Sequence, residues 1–473
     1  MIPYDDLAKK INVEKIKITA TIEPQEVKEV APINIINHKR FDIMAKYIYA
    51  WYRENNIKSD WGLRLYDEHL RVFNNYEEGV GSEKKGIDMF LSSFHSTLDS
   101  IKKNGFDDSK TLIPVGTNNV PIDGAHRLTA ALLYNKNVKT VKLEHSEVNY
   151  SYNFFVNRGL DALQSKWCDA ITYEYCKMKK NTRILILFPS VASKKNEVKQ
   201  ILDLLGGIYY KKNIFVGNEG PRNLMFLLYR NTYNIDHPYF KQIDDKIKIN
   251  FKTSGSVQMV VFEKENVDNL KKAKLKLQKL SKGDSEAFFL TDDHNQTIEL
   301  SQVLLNYNSM HFLNNAKPYK NQSFVKSLDF FKKSLEEKSI NKEYICLGNS
   351  SVLAAYGIKE TFELDFVQHD SLSNLKEATN IVTKKRNYNQ GKDDLIFNPE
   401  NHFYFNGIKF VSISLVKKMK RNSKSPREIK ELSAIQIYLL RGNLPFKVKV
   451  MFNSYMDLSK SLLKRIRKAV YLT

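Results

Sequence analysis

Pro121-Ile122-Asp123-Gly124-Ala125-His126-Arg127-Leu128-Thr129-Ala130 is the stretch on which the reading of this chain turns. Ahead of it lie a helical pattern ending Leu98-Asp99-Ser100-Ile101, a Gly105-Phe106 turn and an apolar strand, Leu112-Ile113-Pro114-Val115. Behind it the helical pattern continues through Ala131, Leu132 and Leu133, and a second strand runs from Val138 to Leu143. The spacing predicts a strand that hands over to a helix through a glycine-bearing turn. A helix N-terminus presents unpaired N–H groups and the positive end of the helix dipole, so it welcomes an anion. Arg127 adds a fork of donors and His126 a titratable imidazole. The plainer alternative pairs Arg127 with a carboxylate such as Asp123 and leaves the turn purely structural.

The order of Ser100-Ile101, Ile113-Pro114-Val115 and Gly124-Ala125-His126-Arg127-Leu128-Thr129-Ala130 resembles the ParB/sulfiredoxin fold, over residues 35–150. The Asp123-Gly124 step before the His-Arg pair is more similar to the family's ATP-using branches, sulfiredoxin and the free-serine kinases, than to its DNA-partition branch. The resemblance implies that Gly124, His126 and Arg127 hold nucleotide phosphates, and it puts Asp123 and His126 among the catalytic residues. In the serine-kinase relatives a glutamate upstream of the helix matching Phe90–Ile101 acts as base on the substrate hydroxyl. Glu77, Glu78 and Glu83 occupy that polar loop here, and Glu78 is the candidate; a solvated acidic loop is the competing reading.

The chain has 473 residues, 42% of them hydrophobic and 12% aromatic, ample for packed cores and for about three domains. Three scattered cysteines, Cys168, Cys176 and Cys346, suit neither a disulfide framework nor a zinc site. The N-terminal residues show no secretory pattern and no apolar run is long enough to span a bilayer, so a cytoplasmic protein is expected. The net charge of +21 is compatible with a polyanionic partner. Its spread along the chain is equally the mark of a Lys- and Asn-rich composition.

In chain order, residues 1–34 read as a lead-in with an edge strand over Val13–Ile22. Helices are expected over Arg40–Asn55 and Leu63–Asn75, and an aromatic helix over Tyr150–Lys180 links to the next domain. Residues 181–316 then read as an α/β unit. It has strands at 183–190, 214–216, 247–251, 257–262 and 288–290, and a helix, 194–205, ended by Gly206-Gly207. Thr291-Asp292-Asp293-His294 offers carboxylates and a histidine at a strand end, for metal binding or hydroxyl activation. The same aspartates suit the N-cap of a helix over Thr297–Asn306, which is the preferred reading. Asn306–Asn314 reads as an amide-rich turn.

Near the end of the chain, Tyr344–Leu347 forms a strand that delivers Gly348-Asn349-Ser350-Ser351, followed by a short helix broken at Gly357. On the next strand Glu363 and Asp365 alternate, which puts both carboxylates on one face. A phosphate-gripping turn beside paired acids is what a Mg2+–nucleoside triphosphate needs. This run resembles the minimal nucleotidyltransferase fold, in particular the copies found among bacterial surface-polysaccharide genes. The resemblance implies nucleotide contacts from Gly348, Asn349, Ser350 and Lys359, Mg2+ held by Glu363 and Asp365, and catalysis at Asp365. Three departures leave an active and a degenerate domain equally open: Glu363 stands for the usual Asp, Lys359 for the usual Arg, and the expected strand Phe403–Ile413 carries no third acid. A basic amphipathic helix over 453–473 either caps this domain or touches an anionic membrane surface.

The resulting expectation is a multidomain α/β (α+β) protein: residues 1–150 ParB/sulfiredoxin-like, 181–316 a linking α/β domain, and 320–473 nucleotidyltransferase-like. The two resemblances imply a cytoplasmic transferase using Mg2+ and a nucleoside triphosphate, ATP or CTP. It would move a phosphoryl or nucleotidyl group to a small hydroxyl compound such as a surface-glycan precursor. A ParB-like DNA-binding regulator and a scaffold with vestigial sites are the alternatives, although no helix-turn-helix follows residue 150, where the DNA-partition relatives carry one. No specific nucleic-acid partner is expected. Any binding to duplex DNA should be sequence-blind and gone near physiological salt, whereas a specific footprint at that ionic strength would favour the regulator.

Overall fold

The structure is a computed structural model. It describes residues 2–16, 26–78, 84–143, 147–160, 166–229, 241–251, 256–281, 287–361, 364–372, 388, 390–423 and 425–443. The fold is mixed α/β with three sheets. The first has β1 (Val27–Val30), β2 (Ile113–Val115) and β3 (Val138–Lys142) in the order β1-β3-β2, with β2 parallel and β1 antiparallel to β3. Beside it the helix Asp42–Glu54 packs on Trp61–Asn74 and on Ala125–Leu133, and Ile87–Asn104 packs on Ala125–Leu133. The expected strand over 13–22 is instead a short helix, Val13–Ile16, with the strand further on at β1; residues 17–25 lie outside the described residues.

The middle sheet comprises β4 (Thr182–Leu187), β5 (Ile208–Ile214), β6 (Val257–Glu263) and β7 (Phe288–Leu290), in the order β5-β6-β4-β7. All neighbours are antiparallel, and the helices Lys195–Leu205 and Val267–Leu280 make the two crossovers. With the helices Gly220–Tyr229 and Lys241–Asn250 set between β5 and β6, the path has the strand order of a ferredoxin-like βαββαβ plait. Strand alternation splits its residues between two cores. Leu185, Leu187, Val260 and Phe262 meet the two crossover helices, while Ile184, Ile186, Met259 and Val261 face the main core. Gly206 ends the first crossover helix at φ 68°, as the sequence predicts. Residues 247–251 differ from expectation: they end a helix, Lys241–Asn250, because Ile243 and Ile247 recur at helical rather than strand spacing. The interdomain segment 150–180 holds two helices, Tyr152–Val156 and Lys166–Met178, rather than one.

The third sheet has β8 (Ile345–Gly348), β9 (Asp365–Gln368), β10 (His402–Phe405) and β11 (Ile408–Val411) in the order β10-β11-β8-β9. The single strand expected over 403–413 is a hairpin turned by Asn406 and Gly407, both at positive φ.

The three modules share one hydrophobic core that runs from Ile35 to Ile435. Trp61 of the first module stacks on Trp167, with centroids 4.9 Å apart and planes 4° from parallel. The Tyr52 hydroxyl donates to the Phe397 carbonyl at 2.6 Å, and the Lys58 N–H to Asp393 at 2.7 Å. The Ser59 hydroxyl donates to Asp394 at 2.8 Å. Asp393 and Asp394 therefore tie the third module to the first. Among the described residues no helix is long and apolar enough to cross a membrane; the tail 453–473 lies outside them.

With Trp61 1% exposed inside a shared core, Trp61→Ala should cost about 3–5 kcal/mol. It should shift one common unfolding transition, followed by urea melts read by fluorescence and circular dichroism. Separate transitions for the two probes would contradict the shared core.

Candidate functional site

The strand–turn–helix expected around Gly124 is present: β2, a 3-10 turn at Thr117–Asn119, a return past β2 at Pro121, and the helix Ala125–Leu133 with Gly124 at its N-cap. Gly124 has φ +81°, and a Cβ there would lie 2.6 Å from Ile113 Cδ1 and 3.0 Å from Arg127 Nη2. Both the backbone conformation and the close approach require glycine. The turn opens into a cavity of about 500 Å3. Five residues singled out from the sequence line it together: Glu78, Asp123, Gly124, His126 and Arg127.

Each is held by identifiable contacts. His126 stacks on Phe94 with centroids 4.3 Å apart, and its Nε2 lies 2.7 Å from the Tyr66 hydroxyl, which fixes the imidazole plane. Arg127 Nη2 lies 3.4 Å from Asp123 Oδ2, so the plain pairing reading is realised too, but as a long contact that leaves the fork on the cavity wall. Burial lowers the Arg127 guanidinium from its ordinary value, with Asp123 opposing. Glu78 sits on a short antiparallel bridge, Glu77 opposite Lys85, and pairs with Lys84 at 3.2 Å. Glu83 lies outside the described residues.

The floor of the cavity is a buried network that the sequence reading misses. Arg40, 2% exposed, grips Asp42 with two bonds of 2.8 and 2.9 Å and donates to the Pro121 carbonyl. Lys46 Nζ lies 3.0 Å from Asp42 and 2.9 Å from His69 Nε2. Burial opposes the charge on Asp42, but Arg40 and Lys46 outweigh it and hold the carboxyl far below its usual range. The available signal was Asp42 and Lys46 one turn apart, at i,i+4, on a helix whose other buried positions include the apolar Ile43, Met44 and Ile48. Cations Arg40, Lys46, Lys84, Arg127 and Arg158 line the cavity against Asp42, Glu77, Glu78 and Asp123. That field, facing a helix N-terminus, suits an anionic group.

The C-terminal constellation is arranged differently. Asp365 is 5% exposed, accepts the Ser350 N–H at 3.3 Å, and its own N–H donates to Ser351 Oγ at 2.9 Å. Tyr388 closes over Gly348, where a Cβ would lie 2.2 Å from its hydroxyl oxygen. Lys359 pairs with Glu431 at 2.6 Å, in a cluster that includes Lys420 and Arg427. Asn349, at φ 38°, is buried, and among the described residues its Oδ1 has no hydrogen-bond partner. Glu363 lies outside the described residues, so its position relative to Asp365 is not described.

Asp293 is the N-cap of the helix His294–Leu304 and accepts the Gln296 N–H at 2.8 Å, the preferred reading of that acidic pair. The segment read as an amide-rich turn is a helix, Tyr307–Asn315, capped by Asn306. A further group, His38, Glu263 and Glu265, brings three potential ligand atoms within 4.8 Å of one another. Glu263 there already accepts the His38 N–H at 2.6 Å and the Tyr175 hydroxyl at 2.8 Å. Comparison with protein-family models, curated proteins and solved structures returned no match.

Burial, then the neighbouring Lys46, press His69 well below 6.5, so the folded imidazole stays neutral while the unfolded one takes up a proton. The stability it contributes is complete above about pH 6.5 and falls below it, by up to about 1.4 kcal/mol per pH unit. The urea midpoint should drop between pH 7.5 and 5.5, and less steeply in His69→Gln. Equal slopes would remove His69 from the acid response.

Proposed function

We propose that this chain is a nucleotide-dependent transferase whose group-transfer site is the cavity at Gly124. The observation that carries the reading is the convergence of Glu78, Asp123, Gly124, His126 and Arg127 on one cavity, although about fifty residues of chain separate Glu78 from the turn. The helix N-terminus and the Arg127 fork receive nucleoside triphosphate oxygens, for ATP or CTP, and His126, fixed by Tyr66 and Phe94, donates beside them. Glu78 stands across the cavity as the base for an acceptor hydroxyl. In phosphoryl transfer the acceptor oxygen bonds to the γ-phosphorus, the bridging P–O bond to the β-phosphate breaks, the nucleoside diphosphate leaves, and the acceptor proton goes to Glu78. The carboxylate of Asp123 is a hard oxygen donor of the kind Mg2+ takes, and the ion, if bound there with nucleotide, would neutralise phosphate charge. The acceptor class is a small hydroxyl compound, and a surface-glycan precursor follows from resemblance alone.

A second reading keeps nucleotidyl transfer at Gly348, Asn349, Ser350 and Lys359, with Glu363 and Asp365 as Mg2+ ligands. The unpartnered Asn349 Oδ1 beside the turn favours a bound donor or cation there. Against it stand the Tyr388 lid over Gly348 and the engagement of Lys359 with Glu431.

Incubation with Mg2+, ATP or CTP and small hydroxyl acceptors, read by mass spectrometry, separates the readings. A nucleoside diphosphate marks the first, pyrophosphate the second, and no turnover the vestigial scaffold. Arg127→Ala should weaken nucleotide binding by about 1.5–3 kcal/mol, roughly 10- to 150-fold. Its fold should survive, because the side chain is about one quarter exposed. Glu78→Gln should lower turnover with little change in nucleotide affinity. Unchanged nucleotide affinity in a folded Arg127→Ala protein would remove the first site.

A further inference from the structure

A second cavity, of about 410 Å3, lies where the three modules meet, and no step proposed above uses it. Its volume is within the range of small-molecule sites, about 300–1,000 Å3. One wall is the Asp42–Glu54 helix, which turns Asp42 and Lys46 to the Gly124 cavity and Tyr47 and Trp51 to this one. The other walls come from the helices Lys166–Met178 and His294–Leu304 and from the third sheet.

The lining has two characters. Around Trp51 the rings of Tyr52, Phe397 and Tyr344 gather at centroid distances of 5.7, 5.6 and 6.5 Å. Beside them is a polar pole, with Lys409 Nζ 5.4 Å from the centre of the Phe397 ring. Lys409 Nζ lies 2.9 Å from Glu343 Oε2, and Lys177 Nζ 2.9 Å from Glu174. Gln302 donates to the Tyr173 hydroxyl at 3.2 Å. His402 is buried, with Nδ1 3.1 Å from the Leu395 carbonyl; burial first, then Lys409, hold it at about 3, so the ring is neutral. Burial would raise Glu343, but Lys409 and Lys177 outweigh it and hold it at about 2, so this acid is an ionised acceptor.

Two acids and two lysines cancel, which makes this lining neutral within a chain of net charge +21. A neutral cavity does not select phosphate or nucleic acid. Nor is it built as a seal: apolar residues would close a module junction at lower desolvation cost than paired charges. Aromatic faces beside a pole that mixes carboxylate, ammonium, amide and phenol match a ring with C–H faces and many hydroxyls. Each such hydroxyl both donates and accepts, whereas a nucleobase offers only a few edge groups. We propose that this junction cavity binds a neutral carbohydrate ring, with Trp51 and Tyr47 against its face and Glu343, Gln302 and Lys409 on its hydroxyls. This inference does not depend on the transferase reading.

Calorimetric titration of the full-length protein with D-glucose, D-galactose, N-acetyl-D-glucosamine and maltose tests it, with adenosine, guanosine and inorganic phosphate as counter-probes. At least one sugar should saturate at millimolar concentration or below. Its affinity should fall more than tenfold in Trp51→Ala and in the rim variant Tyr47→Ala, each checked for folding by its thermal transition. Arg127→Ala should leave sugar affinity unchanged. The proposal is overturned if none of the four sugars saturates, if a nucleoside binds while the sugars do not, or if folded Trp51→Ala and Tyr47→Ala proteins bind sugar as the parent does.

Discussion

The buried pair between Arg40 and Asp42 is the contact on which the N-terminal module depends. Neither side chain is more than 2% exposed, so each would be costly alone, and removing one partner of such a pair costs about 3–5 kcal/mol. Its geometry also does positional work. The third guanidinium contact reaches the Pro121 carbonyl, eighty-one residues along the chain. That bond anchors the extended segment that must arrive at Gly124 in the left-handed conformation. The helix start, and with it the direction of its N–H groups, is set from a residue outside the motif. Lys46 and the neutral His69 complete the hydrogen-bond network around Asp42, which leaves the floor one positive charge in excess.

A shared core makes the three modules one mechanical body. The plait in the middle has apolar residues on both faces of its sheet, because one face meets its own crossover helices and the other meets the neighbouring modules. This arrangement leaves no open sheet face there for a strand-like or stacked ligand. The same economy explains Asp393 and Asp394. Both acids accept from the first module, Asp393 from the Lys58 N–H and Asp394 from the Ser59 hydroxyl.

What was legible in the sequence followed from local sterics. Gly124 had to be glycine, Gly206 had to end its helix, and Asp293 had to cap one, since each rests on a backbone requirement within a few residues. The Asn406-Gly407 turn was equally local; reading straight through it merged β10 and β11 into a single strand. The Ile247–Phe251 strand failed for a related reason, because starting at Ile247 hides the helical partner Ile243. The floor of the Gly124 cavity was illegible for a different reason. Arg40 lies on an isolated bridge to Tyr150 just ahead of a helix, Lys46 and His69 are polar residues inside amphipathic helices, and which of them face one another depends on how the helices Asp42–Glu54, Trp61–Asn74 and Ala125–Leu133 pack. Local patterns carry no record of that packing. The junction cavity is an extreme case, since its walls come from residues 47 to 409.

The helix Asp42–Glu54 decides how the two cavities relate. It is buried along most of its length, and both ends are paired. Asp42 is held by Arg40 and Lys46, while Arg53 pairs with Asp99 at 2.9 Å and Glu54 accepts from Lys102 and from Tyr134 at 2.8 Å. A helix held at its start by the buried Asp42 network and packed on several sides resists sliding, because displacement would break those desolvated contacts as well as apolar packing, while the exposed pairs at its other end add little. Such an element acts as a fixed partition rather than a moving one. Groups presented from its opposite faces keep a constant separation, which is the condition for positioning two ligands, or two parts of one ligand, without paying to order the protein at the moment of binding.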